Sequence, residues 1–204
     1  LLFYIGSGRD KRVLLVSTIW LALIGGLSIT GFFENTTSLP PRYLLVFLGS
    51  TGLIIYLYKV LKTDRLNTKR LLLVQGLRLL VELGLYQLFL QGQIPQIMTF
   101  EGWNYDIIIG ISALMIFVVL YFKEHLLSKT FMLIWNVTGI LFLAVIVLTA
   151  VLSAPLPIQL LAFDQPNVAV LKFPYVFLPA YIVPLVLLTH LLTIKKILKE
   201  LPKR

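Results

Sequence analysis

The chain has 204 residues, of which 58% are hydrophobic and 13% charged, with 18 Lys and Arg against 9 Asp and Glu. Soluble domains run near 45–50% apolar and about 25% charged, so this composition excludes an ordinary water-soluble fold. The absence of Cys excludes disulfides and thiolate sites, and two His exclude a His-rich metal site, so neither a metal nor a cofactor is expected.

Apolar runs of bilayer-crossing length recur along the chain and predict an all-α, polytopic transmembrane helical bundle forming one domain over 1–204. The six predicted spans cover roughly 13–33, 43–61, 71–91, 106–122, 130–153 and 172–195. Before the first span stand Arg9, Lys11 and Arg12. The chain begins at Leu1, which is read as a fragment or a processed form, and the first run lacks an A-x-A-like cleavage site. Lys59, Lys62, Arg65, Lys69 and Arg70 lie between the second and third spans, and Lys123 and Lys129 between the fourth and fifth. Lys195, Lys196, Lys199, Lys203 and Arg204 close the chain. Arg42 and Lys172 alone fall on the opposite side, and Arg78 lies within the third span. The positive-inside rule then places both termini in the cytoplasm of a cell inner membrane. The net charge of +9 is read as orientation in a lipid bilayer, with no nucleic-acid partner expected.

The third span carries a polar stripe. Each helical residue turns about 100°, which gathers Gln75, Arg78, Glu82 and Tyr86 within roughly 80° on one face. A charge at the bilayer centre costs about 2.5–3.5 kcal/mol on insertion scales, so this face should turn toward the bundle and Arg78 should pair with Glu82. Counted from the flanking basic residues, Arg78, Asn136 and His190 share the cytoplasmic half of the membrane. The expected intramembrane network is therefore Gln75, Arg78, Glu82, Tyr86, Asn136 and His190. Taken alone, His190 reads more readily as a residue snorkelling to the interface.

The outer connections give a second candidate set. GQIPQIMTFEGWNYD places Glu101, Asn104 and Asp106 at the start of the fourth span, where Asn and Asp cap helices and acids favour the positive dipole end. The alternative is a ligand or cation site at the outer mouth, joined by Asp164 and Asn167 of FDQPN. In the last span Pro174, Pro179 and Pro184 recur every five residues, predicting either a kinked cavity wall or a helix shaped for packing. Gly25-Gly26, Gly49-x-x-Gly52 and Gly110 should permit close helix approach.

The stretch LRLLVELGLYQLFLQGQIPQIMTFEGWNYDIIIGISA, with GFF, PPR, SAPLP, DQPN, FPYVFLP and VPLVLLTH, resembles a family of uncharacterised bacterial integral membrane proteins. The resemblance implies recurrence of Arg78, Glu82, Met98, Thr99, Phe100, Glu101, Gly102, Asn104 and Asp106; Trp103 stands where the family often has a basic residue. It implies an architecture and no activity. No P-loop, G-x-S-x-G, HExxH or dinucleotide motif is present. Three functions stay open. One is binding or moving a small solute or lipid through a polar interior. Another is a membrane enzyme with Glu82 or His190 as acid–base group and Arg78 holding an anion. The last is a structural or assembly component.

Overall fold

The computed structural model describes residues 1–123 and 126–200; Lys203 and Arg204 of the C-terminal basic cluster lie outside them. Among the described residues all regular structure is helical: α1 (Leu2–Gly6), α2 (Lys11–Ile29), α3 (Leu44–Val60), α4 (Thr68–Leu90), α5 (Asp106–Phe122), α6 (Lys129–Ser153) and α7 (Val183–Glu200). Starts follow local chemistry. The side chains of Asp10, Asn67 and Ser128 accept from the backbone N–H of Arg12, Arg70 and Phe131, satisfying donors that the first turns of α2, α4 and α6 leave open. Four helices are long and apolar enough to cross a membrane: Lys11–Ile29, Thr68–Leu90, Lys129–Ser153 and Leu178–Glu200. The apolar helices α3 and α5 are shorter, at 17 residues each.

The last span differs from expectation at its start. Residues 172–176 are not helical; a π-helical turn, Leu178–Ile182, leads into α7, which runs on to Glu200. The prolines explain this. Pro174 lies before the helix, Pro179 enters the first turn, and Pro184 follows the π turn, where the Ala180 carbonyl four residues back accepts instead from Trp20 Nε1 at 2.8 Å. Leu2–Gly6 forms a short helix that packs on α4, with Phe3 buried and Gly6 against Leu71.

α5 runs antiparallel along α4 in a register that positions the site. Leu114 meets Gly76, Gly110 meets Arg78 and Leu79, and Asp106 meets Arg78. Thus α5 begins level with Arg78 and Glu82, about 12 Å before α4 ends at Leu90. The connecting segment, 91–105, must fold back into the bundle to reach that point, and it buries Ile94, Met98, Thr99 and Asn104. A second long connection, 154–177, is stitched onto it. Val168 N–H donates to the Gln93 carbonyl at 3.0 Å, and Gln165 Nε2 donates to those of Phe89 and Ile94.

The opposite end of the bundle is tied by its basic residues. Lys195 donates to the Tyr58 carbonyl at 2.9 Å and Lys196 to that of Leu66 at 2.8 Å. Lys199 pairs with Asp64 at 2.8 Å, and this hydrogen bond holds the Asp64 carboxyl below the usual carboxylate range. Apolar clusters flank the polar middle: Leu57, Leu71, Leu188 and Leu192 on one side, Leu85, Ile94, Met98 and Ile146 on another. Large apolar side chains also cover the outside, among them Ile19, Phe47, Leu80, Met115, Ile134 and Leu148.

Candidate functional site: a buried polar cluster beside an apolar cavity

The stripe on α4 faces inward at Gln75, Arg78 and Glu82, each no more than 3% exposed. Its partners differ from the expected pair. Arg78 is ion-paired with Asp106, Nη1 to Oδ1 at 3.3 Å, and its two Nη atoms donate to the Gly139 carbonyl on α6 at 3.5 and 3.4 Å. Glu82 Oε2 instead accepts from Asn104 Nδ2 at 2.6 Å. Asn104 also donates to the Met98 carbonyl at 3.0 Å, and its Oδ1 accepts the Asp106 N–H at 3.1 Å. One side chain therefore supports the first turn of α5 and fixes a carboxylate on α4. The two candidate sets merge here: the residues expected at the outer mouth supply partners for the stripe. Tyr86, one turn further along, donates to Glu101 at 3.0 Å in an exposed contact.

The remaining network members form a second layer. His190 is fully buried and not a surface-seeking residue; its Nδ1 lies 2.8 Å from Asn136 Oδ1. Asn136 Nδ2 is committed to the Met132 carbonyl at 2.7 Å, so Oδ1 must accept. The imidazole ring lies against Gly139, and Trp135 sits 5.5 Å away centroid to centroid. Gly139 thus touches His190 with its α-carbon and Arg78 with its carbonyl. Gln75 reaches α7, donating to the Val186 carbonyl at 3.1 Å and to Thr189 Oγ1.

Beside this cluster lies a cavity of about 230 Å³. Its walls come from α3 (Val46, Phe47, Thr51), α6 (Ile146, Val147, Ala150) and the start of the last helix (Leu178, Pro184, Leu187). Glu82 and Asp106 belong to the lining, with Asn167 from the 154–177 connection. Asn167 is fully buried and donates to the Ala150 carbonyl at 3.1 Å. Asp164 is exposed and takes no part in the cavity. Phe47, 61% exposed, also lines the cavity, which therefore reaches the apolar outer surface at α3. Among the described residues no group of three or more His, Asp or Glu is placed to hold a metal ion.

The residues at the cavity that the sequence did not single out are small or apolar, such as Val147 and Ala150. The sequence signal for this wall is the run of prolines in the last span, and Pro179 and Pro184 do stand in it.

Fold and site together define a helical bundle whose polar interior is completed by a re-entering connection and opens into an apolar cavity. The chain belongs to the family described as Domain of unknown function (DUF8737), whose model matches residues 41–198. That match takes in α3 to α6, α7 as far as residue 198, and every residue of the cluster and cavity wall named above. The comparison with curated proteins gives no match, and the comparison with solved structures gives none.

Proposed function

We propose that this is a multi-pass protein of a bacterial inner membrane that crosses six times, keeps both termini cytoplasmic, and binds a small solute or lipid in its interior. The single observation that carries the binding reading is the cavity lined by buried Glu82 and Asp106 and open beside exposed Phe47. A packing device needs no such space.

The membrane reading rests on polarity turned outside in. Leu, Ile and Phe cover the exterior, while Arg78, Glu82, Asn104, Asp106 and His190 are buried. In water this arrangement is unfavourable on both counts; in hydrocarbon it is required. The fifteen-residue connection 91–105 would leave unsatisfied backbone groups in lipid, but non-helical chain is tolerated at depth when protein encloses it. It also completes a crossing: α5 rises only about 25 Å against a hydrocarbon core of about 30 Å. The ties from Lys195, Lys196 and Lys199 to residues 58–66 gather basic residues at one end, in keeping with a cytoplasmic face there.

The enzyme alternative using Glu82 with His190 is less well supported, because Glu82 lines the cavity and His190 does not. The absence of Cys makes topology simple to test. Single-Cys variants at Lys62 and Asp164 should label with impermeant maleimide from opposite sides of the membrane. For binding, native mass spectrometry of the protein released from membranes should find a retained small molecule in the wild type that Ala150→Trp loses. Identical spectra with no retained species would end the binding proposal.

A further inference from the structure

Resting on the reading of the cavity as a binding site, we infer that its ligand is an amphiphile with a protonated primary amine: the ammonium meets Glu82 and Asp106, and a single apolar chain lies between α3, α6 and α7.

Three features of the site carry this. First, with both of its carboxyls ionised the cluster would carry more negative than positive charge. Among the described residues Arg78 is the one basic side chain bonded there, and it faces two carboxyls, Asp106 at 3.3 Å and Glu82 held through Asn104. A buried carboxyl without a counter-charge takes up a proton, and a cation entering from the cavity can take that proton's place. Second, the unused polar atoms on the cavity wall accept, while the unpartnered Arg78 Nε–H donor lies outside that lining. Glu82 uses Oε2 for Asn104 and Asp106 uses Oδ1 for Arg78, leaving Glu82 Oε1 and Asp106 Oδ2 without protein partners among the described residues. Asn167 Oδ1 is likewise buried and unpartnered. The lining hydroxyls of Tyr43 and Thr51 can act either way. A head group that donates several hydrogen bonds fits this wall, and an ammonium brings three donors; a carboxylate or phosphate brings none. Third, the rest of the wall is apolar and its volume of about 230 Å³ is below the range of about 300–1,000 Å³ typical of drug-sized ligands. That suits one chain, with any excess leaving past Phe47 and Thr51, both exposed.

The test uses the full chain in phosphatidylcholine nanodiscs, with native mass spectrometry as the readout and decylamine, decanol and decanoate as probes. Decylamine should be retained one per chain, with decanol and decanoate at least about tenfold weaker, the scale of a hydrogen bond to a charged group. Glu82→Gln should remove the preference for the amine, and Ala150→Trp should remove retention of all three. Equal retention of decylamine and decanol by the wild type would overturn the amine assignment while leaving the cavity reading in place. No retention of any probe, with Ala150→Trp unchanged, would overturn the cavity reading itself. Both results are read on the wild type and the cavity-filling variant, so they hold even if Glu82→Gln fails to fold. Adding lysophosphatidylethanolamine, an amine lipid with one chain, to the discs separates sources. Loss of bound decylamine there assigns the amine to a lipid headgroup, and unchanged retention assigns it to a free alkylamine; either supports the amine.

Discussion

Arg78 pairs with Asp106 at 3.3 Å across the α4–α5 interface, and not with Glu82 one turn along its own helix. The helical order explains part of this. An acid four residues before a base pairs better than the reverse, and here the base comes first. Asp106 also opens α5, where the helix dipole favours a negative side chain. The two helices are therefore joined by a buried ion pair whose loss on one side leaves the other uncompensated. Arg78→Met and Asp106→Leu should each destabilise by about 3–5 kcal/mol, and the double variant should recover a large part of the loss. Thermal unfolding in micelles, analysed as a double-variant cycle, measures this coupling. A cycle built on Arg78 and Glu82 should give a smaller coupling; a larger one would contradict the pairing.

Asn104 joins three pieces: Glu82 on α4, the Met98 carbonyl in the re-entering segment, and the first N–H of α5. Asn104→Ala removes all three bonds and leaves a buried carboxylate oxygen and carbonyl unpaired, at about 1–3 kcal/mol for each group. The expected signature is local. Hydrogen exchange should rise over residues 94–106 well before α6 changes.

Much of this arrangement was legible beforehand, and the reason lies in periodicity. The fourth span was read as 106–122 and α5 covers Asp106–Phe122, because its apolar run is bounded by Asp106 and Lys123. The stripe on α4 was also readable, since three- and four-residue spacing fixes a face without tertiary information. Asn136 and His190 were placed together by depth alone, and they do meet. What periodicity could not supply was the return of 91–105 into the bundle. Depth was counted along straight helices from basic residues, which assumes that connections stay outside. A segment with Pro95, Gly92 and Gly102 has no period to betray its position. Sequence spacing therefore points Asn104 and Asp106 to the outer mouth and pairs Glu82 with Arg78, whereas the returning segment brings Asn104 to Glu82 and Asp106 to Arg78. The broken start of the last helix has the same cause: three prolines stand in the sequence, but which of them ends regular structure depends on neighbouring helices.

Glycines separate close contact from mere small size. A Cβ on Gly110 would lie 2.8 Å from the Leu79 backbone nitrogen and 3.2 Å from Arg78 Cβ. Backbone cannot yield there, so Gly110→Ala should cost about 1–3 kcal/mol. Gly26 and Gly52 have nothing within 4 Å of such a Cβ, although the small-residue pattern grouped them with Gly25 and Gly49. Their Ala variants should be neutral or gain up to about 1 kcal/mol from helix propensity. Melting temperatures of the three variants, ranked side by side, check the distinction.

The Lys199–Asp64 tie is a solvent-exposed contact with a defined sign in pH. Hydrogen bonding to Lys199 depresses the folded Asp64 pKa, so its contribution is present above the unfolded value of about 3.9 and is lost as pH falls through the lower folded value. The difference in melting temperature between wild type and Asp64→Asn should stay constant from about pH 5 to 8 and shrink below about pH 4. A difference that grew on acidification would show that the tie does not hold in solution.

His190 offers a spectroscopic check on the polar interior. Asn136 Nδ2 is fixed on the Met132 carbonyl, so Asn136 Oδ1 is the only part of that amide facing His190 Nδ1. An acceptor requires a donor, so in the neutral ring the proton resides on Nδ1, and Nε2 is left as a lone pair without a protein partner. Nitrogen-15 spectra of His-labelled protein in bilayers should therefore show the Nδ1-protonated form, the minor tautomer of free histidine. Exchanging Asn136 for Asp keeps the acceptor and should keep that form, whereas Asn136→Leu should release the ring to the other tautomer. Because Gly139 presses on the same imidazole and accepts from Arg78, Gly139→Ala would drive a Cβ to within 2.4 Å of the ring and disturb both layers at once. Its His190 signal should shift together with the Arg78 side-chain resonances. A shift in one without the other would mean that the two layers are not coupled through Gly139.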